Sequence, residues 1–527
     1  MDKPAPKTNS QTVTRSALTV ASGTLLSRIF GALRDAVIAA VFSLKHTDAF
    51  FIAFTIPNSL RVLLGEGAIS GAFVPVLSQT HEREPERYNH VFGALFGMMG
   101  LILFAVTALG VLCAPYLVSM FAAGYLEHPE KFDLTVQLTQ VVFPYIFLMG
   151  IAALFTASLH TLGVFSVPAF SPVFLNIALI SAAFVLPSWL RLHGYPAVLS
   201  LSLGALAGGV LQILSQLPVL LKRKAMALPR IDFKDPAVRK ALRLLLPLIL
   251  GLGTYQLNVM ASRLLASFLA TGAQSYLYYS QRLVEIPQGM IALAIGAAAL
   301  PTLSKLISKG EHQAAQQTLN DAWRLSLFIT IPATVFLTGF ADATVSVVLG
   351  RGNFDSEQIR QTGAALRAQA IGIWAISSVR ILIPLFHANS DTRSPVKASM
   401  INLAIFVTSS VVLMQFWGHQ GIAASIALAG IAQLAVLILL SRRTGLSPSL
   451  RPVLHSSWRI VVCSMPMMLL LLGVNHFFNW AVQKSSWLSI AVYLGTTLLA
   501  AIVYTGMAKL IRLPEQQHFF DAFRRRK

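Results

Sequence analysis

Ser158-Leu-His160-Thr-Leu-Gly-Val-Phe-Ser-Val-Pro168, followed by Phe174-Leu-Asn176-Ile, returns later in the chain as Leu385-Phe-His387-Ala-Asn-Ser-Asp-Thr-Arg-Ser-Pro395, followed by Met400-Ile-Asn402-Leu. The offset is 227 residues from His160 to His387 and 226 from Asn176 to Asn402. Val74-Pro75-Val-Leu-Ser78 and Leu300-Pro301-Thr-Leu-Ser304 stand 226 apart, and Ala205-Leu-Ala-Gly208 and Ala427-Leu-Ala-Gly430 stand 222 apart. Three matches in one order at nearly one offset indicate an internal duplication of about 225 residues, the kind of repeat from which transporters are built.

Composition says what is duplicated. Of 527 residues, 55% are hydrophobic and 12% charged, and the mean hydropathy is +0.66. A soluble chain carries about 25% charged residues, so the expected class is an all-α integral membrane protein. A helix needs about 20 mostly apolar residues to cross the hydrocarbon. Fourteen runs qualify: 17–43, 49–77, 91–115, 136–160, 167–188, 195–221, 244–270, 273–303, 325–349, 362–388, 396–416, 420–441, 457–478 and 487–510. The first two and the eighth are weakened by ionised residues. Each copy of the repeat holds six runs. Six is even, so both copies keep one orientation, and two pseudo-symmetric six-helix lobes plus two C-terminal helices are expected.

The chain then divides into an N-terminal tail (1–16), an N-lobe (17–221), a basic linker (222–243), a C-lobe (244–441), two added spans (442–510) and a basic tail (511–527). Leu228, Ile231 and Phe233 lie among the charges of the linker, which suits it to a membrane surface. With the N-terminus placed in the cytoplasm, 28 Lys and Arg fall in cytoplasmic segments and 7 on the other side. This bias predicts both termini inside, by the positive-inside rule. The net charge of +20 belongs to these short segments, and no nucleic-acid partner is expected. Arg28, Arg34 and Asp35 interrupt the first apolar run, against a cleavable signal peptide. Cys113 and Cys463 sit in apolar runs without metal or disulfide spacing.

Six arginines remain within spans: Arg28, Arg34, Arg61, Arg263, Arg282 and Arg380. The acids within or near spans are Asp35, Asp48, Glu66 and Glu285. Left unpaired, six arginines would cost roughly 15–20 kcal/mol on insertion scales. They must therefore meet counter-charges or a wet cavity. Glu285 is three residues after Arg282, and Asp35 seven after Arg28, each pair on one helical face. Arg263 and Arg380 also read as structural or snorkelling residues. Guanidinium stays charged when buried and grips phosphate oxygens two at a time, so a surplus of Arg suits a phosphate- or carboxylate-bearing substrate. No Walker-type loop is visible. No catalytic residue, metal or cofactor is expected.

Ser27-Arg28-Ile-Phe-Gly31-Ala-Leu-Arg34-Asp35-Ala, Thr47-Asp48-Ala-Phe-Phe, Ile56-Pro57-Asn58-Ser-Leu-Arg61, Gly65-Glu66-Gly67-Ala, Ala72-Phe73-Val-Pro75 and Tyr278-Tyr-Ser-Gln-Arg282-Leu-Val-Glu285-Ile-Pro287-Gln-Gly289 together resemble the MurJ (MviN) lipid II flippases. The resemblance runs through the chain, the two added spans included. It implies the fold of the superfamily of multidrug and oligosaccharide-lipid exporters. It implies flipping of undecaprenyl-pyrophosphate-linked disaccharide pentapeptide across the bacterial inner membrane by alternating access. It further implies that Arg28, Arg34, Arg61 and Arg282 bind pyrophosphate, that Asp48 is needed, and that the added spans form a groove for the lipid tail. Asp35, Glu66, Glu285, Arg263 and Arg380 are read as ion-pair or gating residues. Ser262 stands where some relatives place an acid of a sodium site, so no sodium site is expected there. The membrane potential is the expected driving force, without ATP. Lipid II and membrane lipids are the expected partners, with cell-wall synthesis or division proteins as further candidates. Three other readings stay open: a flippase for another polyprenyl-linked glycan, a cation-coupled exporter of the same superfamily, and a membrane scaffold.

Overall fold

The computed structural model describes residues 10–62, 69–389, 391–442, 446–483, 485–517 and 519. Its regular elements are helices, and no strand occurs among the described residues. The chain forms two compact units, Met1–Gln256 and Leu257–Lys527.

The first unit contains α1 (Ser10–Val41), α2 (Leu44–Arg61), α3 (Ser70–Arg83), α4 (Tyr88–Leu112), α5 (Ala114–Phe121), α6 (Pro129–Val142), α7 (Tyr145–Thr161), α8 (Ser166–Leu192) and α9 (Leu199–Lys222). The boundary between the units falls inside α10 (Pro236–Ser267). The second unit continues with α11 (Ala273–Ser308), α12 (His312–Gly339), α13 (Ala341–Leu349), α14 (Ser356–Ala370), α15 (Ile373–Ala388), α16 (Arg393–Ser441), α17 (Leu450–Phe477), α18 (Trp480–Gln483) and α19 (Trp487–Leu510).

The duplication is written into these bounds. Shifted by the repeat offset, α4 falls on α12, α5 on α13, α6 on α14, α7 on α15, and α8 with α9 on α16. The breaks repeat as well. Pro144 separates α6 from α7, because proline has no N–H for the ladder and its ring clashes with the preceding turn. In the second copy, α14 and α15 are bent by 44° at Gly372, where a Cβ would lie 2.6 Å from Ala427 Cα. The α8–α9 turn runs through Gly194 at φ +77°, and α16 turns at Gly418 at φ +53°. Only glycine adopts such angles without steric cost, so α16 is two helices meeting at a corner.

By length and composition, eight described helices or continuous helix pairs qualify as membrane spans, nine with the bent pair α14–α15. Each of the fourteen expected runs coincides with a helix, one arm of α16, or a consecutive pair of helices. Five of the six span arginines lie on α1, α2, α10 and α11.

The cores are built on apolar side chains. In the first unit Phe51, Phe73, Phe92, Phe143 and Phe155 are buried among α2, α3, α4 and α7. In the second, Trp323, Phe328, Phe340, Phe386 and Met467 belong to one cluster. The two added spans are fastened to α12 at several levels. Tyr504 Oη donates to Phe328 O at 2.6 Å, and Asn475 Nδ2 donates to Gly339 O at 2.6 Å. Glu515, in the stretch read as a basic tail, is buried and accepts from Arg324 Nε at 2.7 Å and Ser456 Oγ at 2.6 Å. The far faces of α17 and α19 remain apolar and exposed, with Leu469, Leu472, Leu498 and Ile502 outermost.

Candidate functional site

In the first unit the charges are mostly closed off. Arg34 is buried on α1. Its Nε and Nη2 donate to Asp35 Oδ1 at 2.9 and 2.7 Å, and its Nη1 donates to Asn176 Oδ1 at 3.1 Å. Asn176 Nδ2 donates in turn to Ser27 O at 3.1 Å, so one side chain on α8 both orients the guanidinium and ties α8 to α1. The expected pairing of Asp35 with Arg28 is not what forms. Seven residues are two turns, about 10.5 Å along the axis, whereas the neighbouring Arg34 folds back onto the carboxylate directly. Arg28, half-buried, makes no hydrogen bond or ion pair among the described residues. Arg61 ends α2, and its Nε donates to Asn58 Oδ1 at 2.9 Å. Glu66 lies outside the described residues.

Asp48 is the most deeply buried acid of the set, at 1% exposure. Lys131 Nζ donates to its Oδ2 at 3.0 Å and sits 4.3 Å above the Tyr125 ring. Lys131 is one of the seven basic residues that the charge count places on the non-cytoplasmic side, in the loop between the runs 91–115 and 136–160. The loop is instead the start of α6, and the side chain reaches inward at 6% exposure. The available signal was His128-Pro129-Glu130, a helix start with Pro at the first helical position.

The second unit holds its charges more openly. Arg282 Nη1 meets Glu285 Oε2 at 2.9 Å, with side chains 42% and 35% exposed. Gln281 Nε2 also donates to Glu285, and Gln369 Nε2 donates to Gln281. Arg263 Nη1 donates to both the backbone and side-chain oxygens of Gln274 at 3.2 Å, and Gln274 Nε2 returns a bond to Arg263 O at 2.6 Å. Between the two arginines stands Tyr278, whose ring centroid is 5.7 Å from Arg263 Cζ and 5.1 Å from Arg282 Cζ. Tyr278 was quoted for the resemblance but not read as a site residue. Its spacing of four from Arg282 was the available signal, since i and i+4 share a helical face. Arg380 is apart from this group, exposed on α15 and without an ion pair or hydrogen bond among the described residues.

Arg28 and Arg380 thus keep open donors, Arg34 is fully engaged, and Arg282 shares its charge with one half-exposed carboxylate. The profile of the Lipid II flippase MurJ family matches residues 38–491. The chain belongs to that family. A probable lipid II flippase MurJ of Bdellovibrio bacteriovorus is 31% identical over 510 residues, 96% of each chain. One of Vibrio cholerae is 33% identical, covering 82% of this chain and 83% of its own. The lipid II flippase MurJ of Burkholderia cenocepacia is 32% identical over 94% of this chain and 96% of its own. Among solved structures, a lipid II flippase MurJ in an inward closed conformation superposes with TM-score 0.79 at 24% identity, covering 94% of this chain and 98% of that one. An inward-facing MATE multidrug transporter of the MOP superfamily follows at TM-score 0.68 and 13% identity, over 81% of this chain and 98% of its own. The family is one of multi-pass membrane transporters, and the fold is that of the superfamily the motifs implied.

Proposed function

We propose that this chain carries lipid II from the cytoplasmic to the outer leaflet of the inner membrane by alternating access, with both termini in the cytoplasm. The supporting observation is family membership over nearly the whole chain together with Arg28, a guanidinium on α1 that makes no hydrogen bond or ion pair among the described residues. A pyrophosphate offers oxygens in pairs, and guanidinium answers with parallel N–H groups. In this reading Arg28, Arg61 and Arg282 contact the phosphates, and Arg34, locked by Asp35 and Asn176, contributes fixed positive charge. Arg263 and Tyr278 hold Arg282 in place. The polyprenyl tail stays in lipid along the exposed apolar faces of α17 and α19.

The driving force is the inside-negative potential, which gains ~2.3 kcal/mol per charge per 100 mV for an anion moving outward. Reconstituted protein in vesicles tests both statements. Lipid II should reach the opposite leaflet, and collapse of the potential should stop it. Flipping that continues after collapse removes the energy source alone. Absence of flipping at any potential, or accumulation of a different polyprenyl-linked glycan in depleted cells, overturns the substrate.

A further inference from the structure

The segment between α9 and α10 is pinned, not loose. Arg230 N donates to Gly93 O at 2.8 Å, alongside the first turns of α4. The approach is so close that a Cβ on Gly97 would lie 2.1 Å from Arg230 O, and one on Gly93 2.7 Å from Leu228 O. Both acids of the segment are taken up by the same end of α4: Asp235 by Arg87 at 2.9 Å, and Asp232 by His90 at 3.2 Å. The bond from His90 holds the Asp232 carboxyl below its ordinary range, and both carboxylates are occupied by basic side chains of α4's first turn and its cap.

What faces outward is then cationic without counter-charge. Lys234, Arg239, Lys240 and Arg243 line a hollow of about 440 Å³, and none makes an ion pair among the described residues. Arg239 donates to Phe233 O and Lys240 to Gln79 Oε1, both neutral acceptors. Beside them Leu228, Ile231 and Phe233 are exposed by 81%, 69% and 44%. Three large apolar side chains next to four uncompensated cations, held at the end of a membrane-spanning helix, match the two layers of a lipid surface: headgroup phosphate and the start of the acyl chains.

We propose that this strap is a binding surface for anionic phospholipid, with the four cations closing on the headgroup phosphate and Leu228, Ile231 and Phe233 entering the acyl boundary. The contacts at Gly93 and Gly97 set the depth. The surface is separate from the arginines proposed to meet the transported substrate, so it stands whether or not that reading does.

The test uses the full-length protein in an uncharged detergent, titrated with phosphatidylglycerol or phosphatidylcholine, with bound lipid counted by native mass spectrometry. Phosphatidylglycerol should be retained about tenfold better. The quadruple variant K234Q/R239Q/K240Q/R243Q should lose most of that preference, whereas R393Q/K397Q/R442Q/K509Q, with equal charge removed elsewhere, should keep it. Should the quadruple variant fail to fold, K234Q/R243Q removes the two side chains that make no hydrogen bond and should still lower the preference roughly threefold. Equal retention by the strap and control variants overturns the proposal. So does complete displacement of phosphatidylglycerol by millimolar inorganic pyrophosphate, which would make the hollow a site for soluble phosphate.

Discussion

Asp48 and Gln274 stand 226 residues apart, near the start of α2 and α11, at matching places in the two copies. In the first copy the position is an acid, sealed and bound to a buried lysine. In the second it is an amide that accepts from the Arg263 guanidinium and donates to the Arg263 backbone. The same contrast runs through the rest of the site. Arg34 is buried beside Asp35 and held by Asn176, whereas Arg282 is half-exposed beside Tyr278 and Glu285. Duplication supplied one scaffold twice. Divergence sealed Asp48 and Arg34 into compensated pairs in the first copy, leaving Arg28 open there, and left Arg282 half-exposed in the second.

The largest effect should come from opening the sealed pair. Lys131→Met takes the ammonium from a carboxylate at 1% exposure, and removing one partner of a buried ion pair costs about 3–5 kcal/mol. Thermal unfolding in detergent should shift down by many degrees, and adding Asp48→Asn should recover most of it. Gln274→Leu, the matching change in the second copy, should cost less, about 1.5–3 kcal/mol, the loss of a charge-assisted bond. Equal losses at the two positions would erase the distinction.

Next in size is a separation of stability from transport. Arg282→Ala and Arg28→Ala should lower lipid II flipping in vesicles by roughly ten- to a hundredfold while melting unchanged, since each removes a charge-assisted contact of about 1.5–3 kcal/mol to the ligand. Arg282→Lys should recover little, because an ammonium lacks the paired donors. Arg34→Ala should lower the melting temperature as well, because it leaves Asp35 uncompensated.

A smaller change tests the aromatic support. Tyr278→Leu removes a ring that faces two guanidiniums, worth about 0.5–2 kcal/mol, and flipping should fall several-fold. Tyr278→Phe, which keeps the ring, should behave as the parent chain. Smallest is the comparison of Asn176 with Asn402, the pair that marks the repeat. Asn176→Ala breaks the bonds to Arg34 and Ser27 and should cost about 1 kcal/mol. Asn402→Ala should be silent in the same melt, since Asn402 makes no hydrogen bond among the described residues.

By itself the amino-acid sequence determined the membrane class, the duplication and the candidate arginines. Hydropathy and repeat offset are sums and differences along one dimension, and they survive without knowing any distance in space. The corner at Gly418 falls in the gap between the runs 396–416 and 420–441, whereas the break at Pro144 lies inside the run 136–160 and came from the structure. Tertiary structure alone decided who meets whom. Asp35 turned to Arg34 instead of Arg28, Lys131 left its expected loop for Asp48, and Asn176 proved to be the clamp on Arg34. Electrostatic and hydrogen-bond energies hinge on a few tenths of an ångström between side chains as much as 191 residues apart, and no periodicity along the chain encodes such a distance.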